Sequence, residues 1–85
     1  MDAEVLLKEK DFLEVKFKGM DEGLANLLVE TIAKEKVDFV AYTLEHPLTG
    51  NPIIRVKSSN PSKSLSAAAK EIEEEAAAAL KALPK

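Results

Sequence analysis

The chain contains no cysteine and no tryptophan, only three glycines, and four aromatic residues, three phenylalanines and one tyrosine. Without cysteine there can be no disulfide and no thiolate metal site. The single histidine, His46, cannot build a zinc site alone, and the carboxylates do not cluster around it in sequence. No metal and no cofactor is therefore expected. No apolar run approaches the ~18 residues of a membrane span. The opening Met1-Asp2-Ala3-Glu4 has neither a basic region nor an apolar h-region, so no secretory signal is read and a cytoplasmic protein is expected. Also missing are G-x-S-x-G, a Gly-rich phosphate loop, H-E-x-x-H and an EF-hand loop. No catalytic residue is assigned.

What is present fits one small domain spanning residues 1–85. A chain of this length hides little more than half the surface of its unfolded form, so its own core is marginal. With disulfides and metals excluded, a partner chain is the expected reinforcement. The formal net charge is −3, and the charged residues, 32% of the chain, are mixed along it. Nucleic-acid binders normally concentrate basic charge, because phosphate neutralisation drives most of their affinity. Here the only local cluster is Lys8, Lys10, Lys16 and Lys18, which reads as the wet face of N-terminal strands.

Residues 4–8 and 12–18 are two β-rich runs separated by Glu9-Lys10-Asp11. In the second, Leu13, Val15 and Phe17 alternate with Glu14, Lys16 and Lys18, the period-two pattern of a strand with one wet face. The two form a hairpin. Gly19 breaks the strand, and Asp21 caps a helix running to about residue 35. Its stripe of Leu24, Leu27, Leu28 and Ile32 is widened by Ala25, Val29 and Ala33 beyond the ~100° that packing on one sheet requires. Residues 37–45 read as a strand apolar on both faces, with Val40, Tyr42 and Leu44 pointing one way and Phe39 and Ala41 the other. A Pro-bracketed turn over 46–52 leads to a fourth strand at 53–57. Asn60-Pro61 then starts a second helix reaching about residue 83, before Pro84. Along it Leu65, Ala69, Ile72, Ala76, Ala79 and Leu83 follow steps of four, three, four, three, four, a heptad-like seam of small residues.

The expected fold is α+β: a two-layer β-β-α-β-β-α arrangement, with a four-stranded antiparallel sheet and two helices on one face. Phe39 and Leu28 are expected in the core. His46 could serve as a general base, but neighbouring Glu45 would point to the opposite face of a strand and cannot orient it. Glu73-Glu74-Glu75 could attract a cation, yet three consecutive acids on a helix spread over ~200° and read as a solvated face.

The string Phe39-Val40-Ala41-Tyr42-Thr43-Leu44-Glu45-His46-Pro47-Leu48, followed by Pro52 and a short strand, resembles the signature of archaeal RNA polymerase subunit L. Leu24-Ala25-Asn26-Leu27-Leu28 resembles the L-x-N-x-L core of that family's first helix, and the Asn60-Pro61 start of a long charged helix matches as well. Where the family commonly has His-Thr before the first leucine and Arg after the last, this chain has Glu22-Gly23 and Val29. A polar contact made by that arginine does not carry over. The family is similar to the eleventh subunit of eukaryotic RNA polymerase II and to the N-terminal dimerisation domain of the bacterial α subunit. The resemblance implies a non-catalytic assembly subunit of DNA-directed RNA polymerase. It implies a heterodimer with a D-like subunit of that polymerase, formed through the helices, on which the large catalytic subunits assemble.

On this reading the interface comprises Leu24, Leu27, Val29 and Ile32 of the first helix and Leu65, Ala69, Ile72, Ala76 and Ala79 of the second. The isolated chain is expected to form a homodimer through the same face. No membrane contact and no direct sequence-specific nucleic-acid contact are expected. The alternative is a stand-alone nucleic-acid-binding module using the exposed sheet face, with Lys16, Lys18, Arg55 and Lys57 as its cations and Phe12, Phe17, Phe39 and Tyr42 as its only aromatics.

Overall fold

The alternation of apolar and charged residues does produce the expected strands. In the computed structural model, which describes residues 2–46 and 50–82, the order is β1 (Asp2–Lys8), β2 (Phe12–Lys18), α1 (Glu22–Ala33), β3 (Phe39–Leu44), β4 (Pro52–Lys57) and α2 (Pro61–Ala82). The four strands form one antiparallel sheet in the order β1-β2-β4-β3. The expected α+β class and two-layer arrangement are both present. The placements expected at Pro47, Leu48, Leu83 and Pro84 lie outside the described residues.

Register decides which face is dry. Leu13 lies opposite Val56 and Val15 opposite Ile54, while Val40 and Tyr42 lie opposite the same two β4 residues from the other side. Leu13, Val15, Ile54 and Val56 are consequently almost fully buried. Both helices cover this face, α1 over β3 and β4 and α2 over β4 and β2. α1 contributes Ala25, Leu28 and Ile32 to the core, at spacings of three and four that keep them on one stripe. α2 contributes Ala68, which is fully buried. The seam expected from the sequence runs through Ala69 instead. One residue's rotation on a helix is 100°, so the stripe facing the chain's own sheet is 65/68/72, which shares Leu65 and Ile72 with the seam but takes Ala68 in place of Ala69.

Local chemistry sets the boundaries. Asp21, with extended backbone, accepts a hydrogen bond from the Gly23 N–H at 2.9 Å. Asn60 Oδ1 accepts from the Lys63 N–H at 3.2 Å, and Pro61 opens α2 at a position whose N–H would have had no helical partner. α1 ends two residues earlier than expected. The Lys34 and Glu35 N–H groups reach back only three residues, to Thr31 and Ile32, and this tightens the last turn into 3₁₀ geometry. At the β3–β4 connection the Gly50 N–H donates to the His46 carbonyl at 2.7 Å, and a Cβ at position 50 would collide with the His46 backbone. Only glycine closes this turn.

Phe39 corrects an expectation. Its partner is Lys57, on the face opposite the helices, and it is 49% exposed. Phe12 faces the same lysine from β2, so the two rings flank a cation on the outer face. Leu28→Ala or Ile54→Ala is accordingly expected to cost about 2–5 kcal/mol by opening a core cavity. Phe39→Ala should cost about 1 kcal/mol or less, because roughly half of its side-chain burial is at stake. Urea unfolding midpoints of the three variants check this, and equal shifts for the Phe39 and Leu28 variants would contradict the outward placement of Phe39.

Candidate protein-docking face

The two helices bury one stripe each and leave the adjoining stripe open. On α1, Leu28 and Ile32 are taken up by the chain's own core, Leu24 and Val29 are half-buried against it, and Leu27 is 40% exposed. On α2, Leu65 and Ile72 are half-buried, whereas Ala69, Ala76 and Ala79 are exposed. Eight of the nine residues expected at an interface therefore present surface along the two helices. Ile32 does not: it is 0% exposed, sealed beneath α1, and has nothing to offer a partner. The sequence could not separate it from Leu27, since both sit on one broad apolar stripe.

Between the helices lies an open apolar cavity of about 380 Å³. Phe17 and Met20 form its floor, Leu24 and Leu28 one wall, and Leu65, Ala69 and Ile72 the other, with Ser66 and Glu73 on the rim. Phe17, Met20, Leu28, Ser66 and Glu73 are not interface residues on the sequence reading, which puts Leu28 in the core. Phe17 carries a signal all the same, as the last apolar residue of an alternating strand where the sheet runs out beneath the helices. α2 continues past this cavity. Its 22 residues span about 33 Å at 1.5 Å per residue. Every residue from Glu73 to Ala82 is exposed, including Leu80 at 69%.

The opposite sheet face is chemically different. Lys16 Nζ donates to Glu45 Oε2 at 2.8 Å and lies 3.7 Å from Glu4 Oε1, while Lys18 Nζ lies 3.5 Å from the same Glu4 oxygen. Arg55 Nε donates to Glu14 Oε2 at 2.6 Å, and its Nη1 donates to Thr43 Oγ1 at 2.8 Å. Three of the four cations considered for nucleic-acid binding are thus already paired with carboxylates on or beside the sheet. Tyr42 is turned inward against the core, and its hydroxyl donates to Glu22 Oε1 at 3.2 Å. Burial, with the Glu22 carboxylate second, pushes the Tyr42 phenol up. What remains of those four on this face is one exposed cation, Lys57, with Phe39 and Phe12 opposite it, less than the run of basic side chains and stacking rings with which single strands are tracked. Among the described residues no group of three His, Asp or Glu side chains could hold a metal, and no helix is long and apolar enough to cross a membrane.

The hydrogen bond from Lys16 holds the Glu45 carboxyl below its ordinary value of 4.5, and the same bond raises Lys16. A depressed carboxyl contributes stability above its unfolded pKa and loses it as pH falls through the folded one. Melting temperature should therefore decline below about pH 4.5. Glu45→Gln should flatten part of that acid limb while leaving neutral stability little changed, because exposed pairs are worth little there. A Glu45→Gln protein with the parent's acid profile would show that the pair contributes nothing to folding.

Residues 13–82 match the RNA polymerase Rpb3/Rpb11 dimerisation domain. The DNA-directed RNA polymerase subunit Rpo11 of Pyrococcus furiosus is 43% identical, over all of this chain and 96% of that protein. The Rpo11 subunit of Methanothermobacter thermautotrophicus is 37% identical over 78% of this chain and 79% of its own length. In three dimensions the chain resembles the crystal structure of DNA-directed RNA polymerase subunit L from Thermoplasma acidophilum, with a TM-score of 0.84 at 28% identity, covering 94% of this chain and 82% of that one.

Proposed function

This chain belongs to the RNA polymerase Rpb3/Rpb11 dimerisation family, and we propose that it pairs through α1 and α2 with a D-like subunit of the polymerase. It is a non-catalytic subunit of the DNA-directed polymerase, similar throughout its length to Rpo11, the L subunit. Its pairing creates the platform on which the large catalytic subunits assemble. The whole of residues 1–85 acts as one dimerisation domain in the cytoplasm, where the polymerase works. When isolated, the chain pairs with a second copy of itself through the same face.

One observation carries this reading: the apolar surface runs from Leu24, across the cavity, to Ala69 and Ile72, with the exposed Leu27 and Ala76 three and four residues further along the same helices. Monomers rarely leave such a patch open. Two helices presented side by side offer two equivalent helices a four-helix packing, and the alanines of α2 permit close approach. An obligate interface of that kind typically hides ~2,000 Å² or more.

Leu27→Glu and Ala76→Glu test the reading. Both side chains are exposed and outside the core, so the variants should fold with melting temperatures near the parent's. Each buries an unpaired charge on pairing. Association with a co-expressed D-like subunit should weaken at least ~10-fold, which is about 1.4 kcal/mol. Ile72 is a poorer probe, because it is half-buried against the chain's own core and a charge there damages the fold as well. Sedimentation equilibrium of folded variants that still bind at parent affinity would refute the interface.

A further inference from the structure

The rim of the cavity between α1 and α2 is chemically one-sided. Its floor and walls are wholly apolar, and among the described residues Glu73 is the only charged one that borders it. Glu73 belongs to the run Glu71-Ile72-Glu73-Glu74-Glu75, four acids around one apolar residue, all four exposed. None of the four takes part in an ion pair among the described residues; the carboxylates that do are Glu4, Glu14 and Glu45, on or beside the sheet. An apolar hollow beside uncompensated negative charge specifies its occupant by shape and by charge.

We infer that this cavity is a socket for one bulky apolar side chain of the partner's helix, phenylalanine-sized or larger, carried beside a lysine or arginine that pairs with Glu73. The inference rests on the heterodimer proposed above and names what its partner must present. Size supports it: an engineered apolar cavity of about 150 Å³ takes up a benzene ring, and this one is about 380 Å³. A socket of this kind, central and ringed by half-buried Leu24, Leu65 and Ile72, is where interfaces concentrate their energy. Charge favours a different chain over a second copy. A second copy brings the same acidic run at 71–75, with no base within it, whereas a basic partner relieves it.

The experiment uses the full chain and a purified D-like subunit, with dissociation constants measured at low and moderate salt. Ala69→Phe fills the socket from its own wall, at an exposed position where the added ring displaces no core residue. It should fold, with an unchanged or higher melting temperature, and bind the partner at least about tenfold more weakly. Glu73→Lys leaves the apolar surface intact and should also weaken binding. In addition it should reverse the salt dependence, since the parent's attraction is screened by salt and the variant's repulsion is too. Leu27→Glu separates the two ideas. If Leu27→Glu abolishes binding while Ala69→Phe and Glu73→Lys bind as the parent does, the helical interface stands and the socket is overturned. If the parent does not bind the D-like subunit, or Leu27→Glu is without effect, the heterodimer reading falls and the socket with it. If Ala69→Phe breaks only self-association of the isolated chain, the occupant is a second copy and the inference is wrong.

Discussion

Ile54 and Val56 lie on β4 where that strand runs between β2 and β3, and both helices cross above it. Each is 1% exposed. Their burial needs contributions from every other element except β1: Leu13 and Val15 beside them, Val40 and Tyr42 on the far side, Leu28 and Ile32 above, and Ala68 closing the corner. Truncating either residue would open a cavity beneath the helices. The relative placement of the helices, and hence the width of the cavity between them, is set by two β-branched side chains in the middle of the sheet. The candidate docking face is thus a consequence of core packing.

The two faces of the sheet divide the work. On the inner face, burial beneath the helices supplies the non-directional part of stability. On the outer face, cross-strand pairs tie three strands together in register, Glu4 with Lys16 and Lys18, and Glu14 with Arg55. These exposed pairs contribute little free energy. They do satisfy the charge of Lys16, Lys18 and Arg55, which leaves Lys57 as the one of these four outer-face cations without a carboxylate partner among the described residues. The uncompensated negative charge lies on α2, beside the apolar surface. Carboxylates and cations are therefore paired across the outer sheet face, whereas the acids of residues 71–75 stand unpaired, among the described residues, beside the apolar cavity.

Much of this is legible in the sequence wherever one physical rule acts alone. Alternation defines β2 to the residue, and the Asp21 and Asn60-Pro61 caps define the starts of both helices. Legibility fails where two rules compete. Phe39 sits on a strand apolar on both sides, and hydrophobicity cannot say which side lies under a helix; pairing with Lys57 puts it outside. Ile32 and Leu27 share one stripe on α1, yet the sheet takes the first and leaves the second. Ala68 and Ala69 are adjacent and chemically identical, so only the orientation of α2 on the sheet distinguishes the core residue from the surface one. The strand order β1-β2-β4-β3 depends on a pairing between non-consecutive strands, which no local pattern encodes.

The outer half of α2 illustrates how propensity and recognition can be served by the same residues. From Glu73 to Ala82 the helix has no contact that buries it. An isolated helix of that length is marginal in water, because nucleation is costly. Here nucleation has already occurred over Pro61–Ile72, where Ala68 and Ile72 dock on the sheet, so the extension only propagates. Propagation favours alanine, glutamate, leucine and lysine, and these four types make up the whole of residues 73–82. Alanine also has the smallest side chain that keeps this propensity, and at Ala76 and Ala79 it leaves room for another backbone to approach. A bulkier apolar run would have held the partner with more area but exposed an aggregation-prone surface before assembly. A more polar run would have been safe alone and would have had nothing to bury on pairing. An alanine seam flanked by acids satisfies both conditions: it keeps the helix propensity and leaves a narrow apolar strip that a close-packing helix can cover.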